Sequence, residues 1–168
     1  VLNAYSLVET ASTLAVARID DPADKRRFTV GKPLPGTEIR IVESSGEELP
    51  VESVGEIAVK GPGVMLGYYR QPKETANAHD EKGYFLTGDL GLLDEEGYLH
   101  LVGRRKTVII RAGFNVYPRE VDDVLADHPA VAEVAVAGIG SEEWGEEGVA
   151  WVVPAEGLDC PSIQELGA

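Results

Sequence analysis

The chain has 168 residues, enough for one domain or for parts of two. With 43% hydrophobic residues and a mean hydropathy of -0.09, it holds the apolar material for a packed core and too few charges for disorder. Its 29 acidic residues against 15 Lys and Arg leave a formal charge of -14 and a pI near 4.5, which opposes binding to nucleic acid or to anionic lipid. A lone cysteine, Cys160, excludes an internal disulfide and a cysteine-rich metal site, and no apolar run reaches the length of a membrane span, so a reducing cytoplasm is the expected compartment.

The opening "VLNAYS" starts in mid-pattern, without a methionine or a basic, apolar leader, and reads as the beginning of an internal fragment. Further on, "TEIRIVES" alternates Ile39 and Ile41 with Glu38 and Arg40, and "GEIAVKG" alternates Ile57 and Val59 with Glu56 and Ala58; both patterns predict half-buried strands. The segment between them carries Gly46, Pro50 and Gly55 among acids and is a loop. In "LGLLDEEGYLHLVG" the spacing predicts a hairpin from Leu90 to Leu93 and from Tyr98 to Val102, closed by Asp94 to Gly97. After Tyr117 the period becomes helical: Val121, Val124 and Leu125 share a face, Pro118 suits the first turn, and Asp127, His128 and Pro129 end the helix. Two more strands, "AVAEVAVAGI" and "GVAWVVPAEG", flank an exposed loop "GSEEWGEEG". The second block is therefore α+β, and the change of period near Arg104 to Thr107 marks a domain boundary.

Three short stretches carry candidate chemistry. "TGD" puts the Asp89 carboxylate directly after a glycine at a strand end, where it could accept hydrogen bonds from a sugar diol or could cap an Asx-type turn. Arg104, Arg105 and Lys106 follow Gly103 and face either solvent or an anion. "RAGFNVYP" supplies Gly113 and Asn115, both tolerant of positive φ, in a loop entering the helix.

Taken together and in order, "NAYSLVET", "GEIAVKGPGVMLGYYRQPKET", "YFLTGD" and "GRRKTVIIRAGFNVYPREVD" resemble the AMP-forming acyl-CoA synthetases of the adenylate-forming superfamily, which includes luciferases and peptide-synthetase adenylation domains. The resemblance implies an α+β fold: residues 1–105 as the β-rich, distorted barrel-like end of a large domain, and residues 106–168 as the start of a small α+β domain that rotates about a hinge at Lys106. It also implies joining of a fatty or aryl carboxylic acid to ATP, then transfer from acyl-AMP to CoA, with Mg2+ as the metal. By the same resemblance Tyr5 stacks on adenine, Glu9 is a catalytic residue that helps hold Mg2+, Asp89 grips the ribose hydroxyls, and Arg104 contacts the ribose and phosphate side. Gly113 and Asn115 then lie in the loop that swings toward the pantetheine tunnel. Ser6, Val8 and Thr107 depart from the glycine, threonine and aspartate usual at their positions. The family's phosphate loop and adenylation lysine fall outside these residues, so the fragment alone is expected to be inactive, with the rest of the parent chain as its partner. The alternatives are an adenylation domain that loads a carrier-protein thiol and a non-catalytic acidic binding module.

Overall fold

The structure is a computed structural model that describes residues 2–157. Two compact units divide the chain, Val1–Val102 and Gly103–Ala168. No helix among the described residues is long and apolar enough to cross a membrane.

The first unit begins with β1 (Ala4–Ser6), a one-turn 3-10 helix (Val8–Thr10), β2 (Thr13–Val16), α1 (Ala23–Phe28) and β3 (Lys32–Pro33). These strands pair antiparallel in the order β1-β2-β3. A second sheet follows from β4 (Glu38–Val42), β5 (Gly55–Lys60), β6 (Phe85–Leu93) and β7 (Leu99–Arg104) in sequential order, with α2 (Pro72–Asn77) between β5 and β6. The expected barrel-like unit is thus built from two open sheets. Their shared core contains Tyr5, Leu14, Ala15, Ile41, Ile57, Val59, Phe85 and Leu99. The first two helices, six residues each, are too short to leave a readable apolar period in the sequence.

The expected alternation in β5 is not observed. It buries Glu56, Ile57, Ala58 and Val59 alike, so both of its faces are covered. By contrast, the β6–β7 hairpin forms as its turn residues dictate: the Gly97 amide donates to the Asp94 carbonyl, and the Asp94 carboxylate accepts from the Glu96 and Tyr98 amides. That carboxylate also receives Lys25 Nζ at 2.7 Å, and Lys25 reaches Glu96 at 2.8 Å, which ties α1 to the hairpin turn.

The second unit contains β8 (Ile109–Arg111), β9 (Phe114–Val116), α3 (Pro118–Ala126), β10 (Val131–Ser141) and β11 (Gly145–Pro154), with sheet order β10-β11-β8-β9. α3 starts with Pro118 in its first turn, as predicted, and packs on β10; Val124, however, points to solvent at 69% exposure, outside the half-buried stripe of Val121 and Leu125. The expected nine-residue loop "GSEEWGEEG" is mostly ladder: pairing runs to Ser141 opposite Gly145 and leaves three residues to turn. Glycine here serves packing. Gly138 and Gly148 face each other across β10 and β11, and a Cβ built on Gly138 would come within 3.1 Å of Ile109, the buried centre of the sheet. The tail "PSIQELGA", expected to begin a helix, lies outside the described residues.

Candidate functional site

The "TGD" triplet lies inside β6, not at its end. On β5 only Ile57 separates Glu56 from Ala58, whereas on β6 Thr87, Gly88 and Asp89 separate their partners Leu90 and Leu86. Three residues therefore oppose one. This bulge needs a residue at positive φ, and Gly88 takes 75°. Three hydrogen bonds fix it: Thr87 Oγ1 donates to the Ile57 carbonyl at 2.8 Å, the Asp89 amide donates to Thr87 Oγ1 at 3.1 Å, and the Gly88 amide donates to Glu56 Oε1 at 3.0 Å. The turn-forming side chain is thus Thr87, and the Asp89 carboxylate is directed elsewhere.

Asp89 is 8% exposed, and its Oδ2 accepts the Tyr5 hydroxyl at 2.7 Å. Tyr5 in β1 is itself 5% exposed and belongs to the core, so its ring has no open face in this chain, and adenine stacking would require its neighbours to move. The structure thus brings two of the residues singled out from sequence, Tyr5 and Asp89, into direct contact. A carboxylate oxygen can accept two hydrogen bonds, and that is the chemistry a vicinal diol requires.

Glu9 sits in the 3-10 turn Val8–Thr10, where Thr10 is buried and its hydroxyl bonds the Leu7 and Ser12 carbonyls. The Glu9 carbonyl accepts the Met65 amide at 2.7 Å, and Oε1 accepts the Tyr68 hydroxyl at 3.3 Å. Burial, and then the Glu9 carboxylate, push the Tyr68 phenol above its ordinary pKa. Val8, in place of the usual threonine, is 94% exposed and offers no hydroxyl. Among the described residues no three carboxylate, His or Cys side chains gather to hold a metal. Glu9 nevertheless fits Mg2+, which takes one or two protein carboxylates and completes its shell with phosphate oxygens and water.

The remaining candidates belong to the second unit. Arg104 ends β7, and Lys106 is exposed in a one-turn 3-10 helix, Arg105–Thr107, whose Thr107 hydroxyl donates to the Arg104 carbonyl at 3.0 Å. Gly113, read as tolerant of positive φ, takes φ 85°; Asn115, read the same way, does not use that freedom, and the other positive φ of the loop falls on Ala112, at 51°. Ala112 and Gly113 make the two-residue turn of the β8–β9 hairpin, a turn whose two central residues both need positive φ; Asn115 is already in β9, opposite Ile110. Residues 112–115 are all exposed. Sequence reasoning missed Glu56, taken for an outward-facing strand residue; a carboxylate inside an otherwise apolar strand was the available signal.

A strand-rich unit of open sheets followed by a second α+β unit is the fold of the adenylate-forming enzymes. Two family models match, "AMP-binding enzyme" over residues 1–69 and "AMP-binding enzyme C-terminal domain" over residues 120–167. Together they span well over half of the chain, which belongs to the AMP-binding enzyme family. It is 39% identical to the medium-chain fatty-acid–CoA ligase of Escherichia coli (strain K12) over 99% of its own length and 29% of that protein's. Among solved structures, ATP-bound MatB from Rhodopseudomonas palustris matches with a TM-score of 0.92 and 39% identity, over 99% of this chain and 33% of that one. The amide bond synthetase McbA from Marinactinospora thermotolerans matches at 0.88 and 40%, over 98% of this chain and 34% of that one. The chain thus spans about 30% of the length of the curated relatives it matches.

Proposed function

We propose that the 168 residues are part of an AMP-forming acid–thiol ligase that joins a fatty or aryl carboxylic acid to CoA. In the first step a carboxylate oxygen attacks the α-phosphorus of ATP, giving acyl-AMP and pyrophosphate; in the second the CoA sulfur attacks the acyl carbonyl and AMP leaves. The observation that carries this reading is the bulge that presents Asp89 beside Tyr5, on a chain of this family. Asp89 accepts hydrogen bonds from the ribose hydroxyls and so orients the nucleotide. Burial supports a role for Tyr5 in fixing Asp89 ahead of the stacking on adenine that the family resemblance implies. Glu9 holds Mg2+, which offsets phosphate charge, and Arg104 lies on the ribose and phosphate side. The chain turns at Lys106 between the two steps, and the Ala112–Gly113 turn, with no side chain on Gly113, lets backbone approach the pantetheine arm of CoA.

CoA is preferred over a carrier-protein thiol because the similar E. coli protein is a CoA ligase, and over a non-catalytic role because Glu9 and Asp89 are both present. The similarity to an amide bond synthetase makes an amine the acceptor to compare. The test is a coupled assay on the full-length parent with ATP, Mg2+ and a panel of fatty and aryl acids. Pyrophosphate release followed by CoA thioester is expected. Pyrophosphate release with an amide product and no thioester would reassign the acceptor, and no acid-dependent pyrophosphate release would remove the enzyme reading.

A further inference from the structure

Glu56 is a buried acid to which the reaction outlined above gives no task. It lies in β5 at 7% exposure, with Ile57, Ala58 and Val59 after it fully buried. A carboxylate taken out of water needs hydrogen bonds to the charged form, and the structure supplies one from an unusual donor: the Gly88 amide, 3.0 Å from Oε1. That amide belongs to the middle residue of the three that oppose Ile57 alone, and bulged residues fall out of the ladder. Thr87 on one side of Gly88 is anchored to the Ile57 carbonyl, and Asp89 on the other carries the carboxylate aimed at Tyr5.

We infer that Glu56 is the positioning residue for Asp89, acting through the Gly88 amide to set the height and direction in which the bulge presents the Asp89 carboxylate to a ribose diol. The role rests on the nucleotide-site reading given above and makes Glu56 a specificity element for the ribose hydroxyls. Two features of the side chain matter in different degree. Its reach matters most: an acceptor must stand two methylenes from the backbone to meet the Gly88 amide across the bulge. Its charge strengthens the bond but does not aim it. Aspartate keeps the charge and loses the reach; glutamine keeps the reach and an acceptor oxygen.

The experiment measures, on the full-length parent, the binding of AMP and of 2′,3′-dideoxy-AMP by calorimetry, and takes the ratio of the two affinities as the contribution of the ribose hydroxyls. Unaltered protein is expected to prefer AMP by about ten- to a hundredfold, the scale of hydrogen bonds to a charged acceptor. Asp89→Ala tests the underlying site: if the preference survives this substitution, Asp89 does not hold the ribose and the nucleotide-site reading fails first. If Asp89→Ala removes the preference, the Glu56 variants decide. Glu56→Asp is expected to lose most of it, with binding of the dideoxy analogue nearly unchanged, and Glu56→Gln to keep it within about threefold of the unaltered ratio. A merely structural acid would weaken both nucleotides together or neither. Full preference in Glu56→Asp, or an equal loss for both nucleotides, overturns the proposal. Should Glu56→Asp fail to fold, Thr87→Val, which removes the anchor at the other end of the bulge, carries the same expectation and the same overturning result.

Discussion

The hydroxyl of Tyr5 donates a 2.7 Å hydrogen bond to Oδ2 of Asp89, joining the first strand of the chain to a strand 84 residues later. Both residues are buried, at 5% and 8% exposure. The bond links the two sheets of the first unit through a polar contact inside an otherwise apolar core.

Tyr5→Phe keeps the ring and its packing and deletes that donor. Removing one partner of a buried, charge-assisted hydrogen bond costs about 1–3 kcal/mol. Urea denaturation of the chain should show a lower midpoint with an unchanged slope. An unaltered midpoint would mean that the bond contributes nothing to folding and serves orientation alone.

A second test concerns pH. Burial opposes the charge of Asp94 more than any single partner favours it, yet hydrogen bonds from Lys25, the Tyr98 amide and His100 together hold its carboxyl well below the usual carboxylate range. Lys25 is pushed up in turn, first by Asp94 and then by Glu96. A depressed carboxyl contributes stability that is present above its unfolded pKa of about 4 and is lost as pH falls through the folded value. A raised lysine contributes below about 10.4 and loses that contribution as pH rises through its folded value. Asp94→Asn retains an acceptor for the turn amides and removes the charge. It should lower stability at pH 7 by about 1–2 kcal/mol, a difference that shrinks as pH drops below about 4. A constant gap from pH 7 to pH 2 would show that the charge is not what matters.

Two glycines in β6 separate steric from conformational cost. A Cβ on Gly91 would lie 2.5 Å from the His100 carbonyl oxygen, backbone that cannot swing away, whereas a Cβ on Gly88 meets nothing within 4 Å and faces only the penalty of φ 75°. Gly91→Ala should cost about 1–3 kcal/mol through forced separation of β6 and β7, and Gly88→Ala about 1–2 kcal/mol through backbone strain. Hydrogen exchange distinguishes them: faster exchange of β7 amides is expected for Gly91→Ala alone. Faster β7 exchange in Gly88→Ala would contradict this division.

Features set by local chemistry were legible in the sequence. The Asp94 to Gly97 turn and the Pro118 helix start depend on residues within a few positions of each other, and both formed as read. What was missed depends on partners distant in sequence. Alternation in β5 suggested one wet face because nothing local reveals that both faces of the strand are covered. The place of "TGD" inside a bulge is defined by Ile57, thirty residues before Thr87, and so was the use of Glu56. Gly148 counted as a loop former because Ile109, which fills the space it leaves, is a tertiary neighbour. Asn115 was read as part of a loop because it tolerates positive φ, and the pairing of β9 with β8 makes it a strand residue instead.

The hinge proposed at Lys106 gives the last prediction. Lys106 is exposed in the single turn Arg105–Thr107, close to where the two compact units divide, so its ammonium is not required for packing. Proline at this position fixes φ near -65° and pushes Arg105 toward extended angles, whereas alanine deletes the ammonium and leaves the backbone nearly as mobile. In the full-length parent, Lys106→Pro should slow one half-reaction at least tenfold more than the other, with transfer to CoA the more affected, and Lys106→Ala should change either by less than about threefold. Single-turnover pyrophosphate release reads the first step, and CoA transfer from preformed acyl-AMP reads the second. Equal losses in both steps for the proline variant, or an alanine variant as impaired as proline, would remove the hinge and make Lys106 a phosphate ligand through its charge.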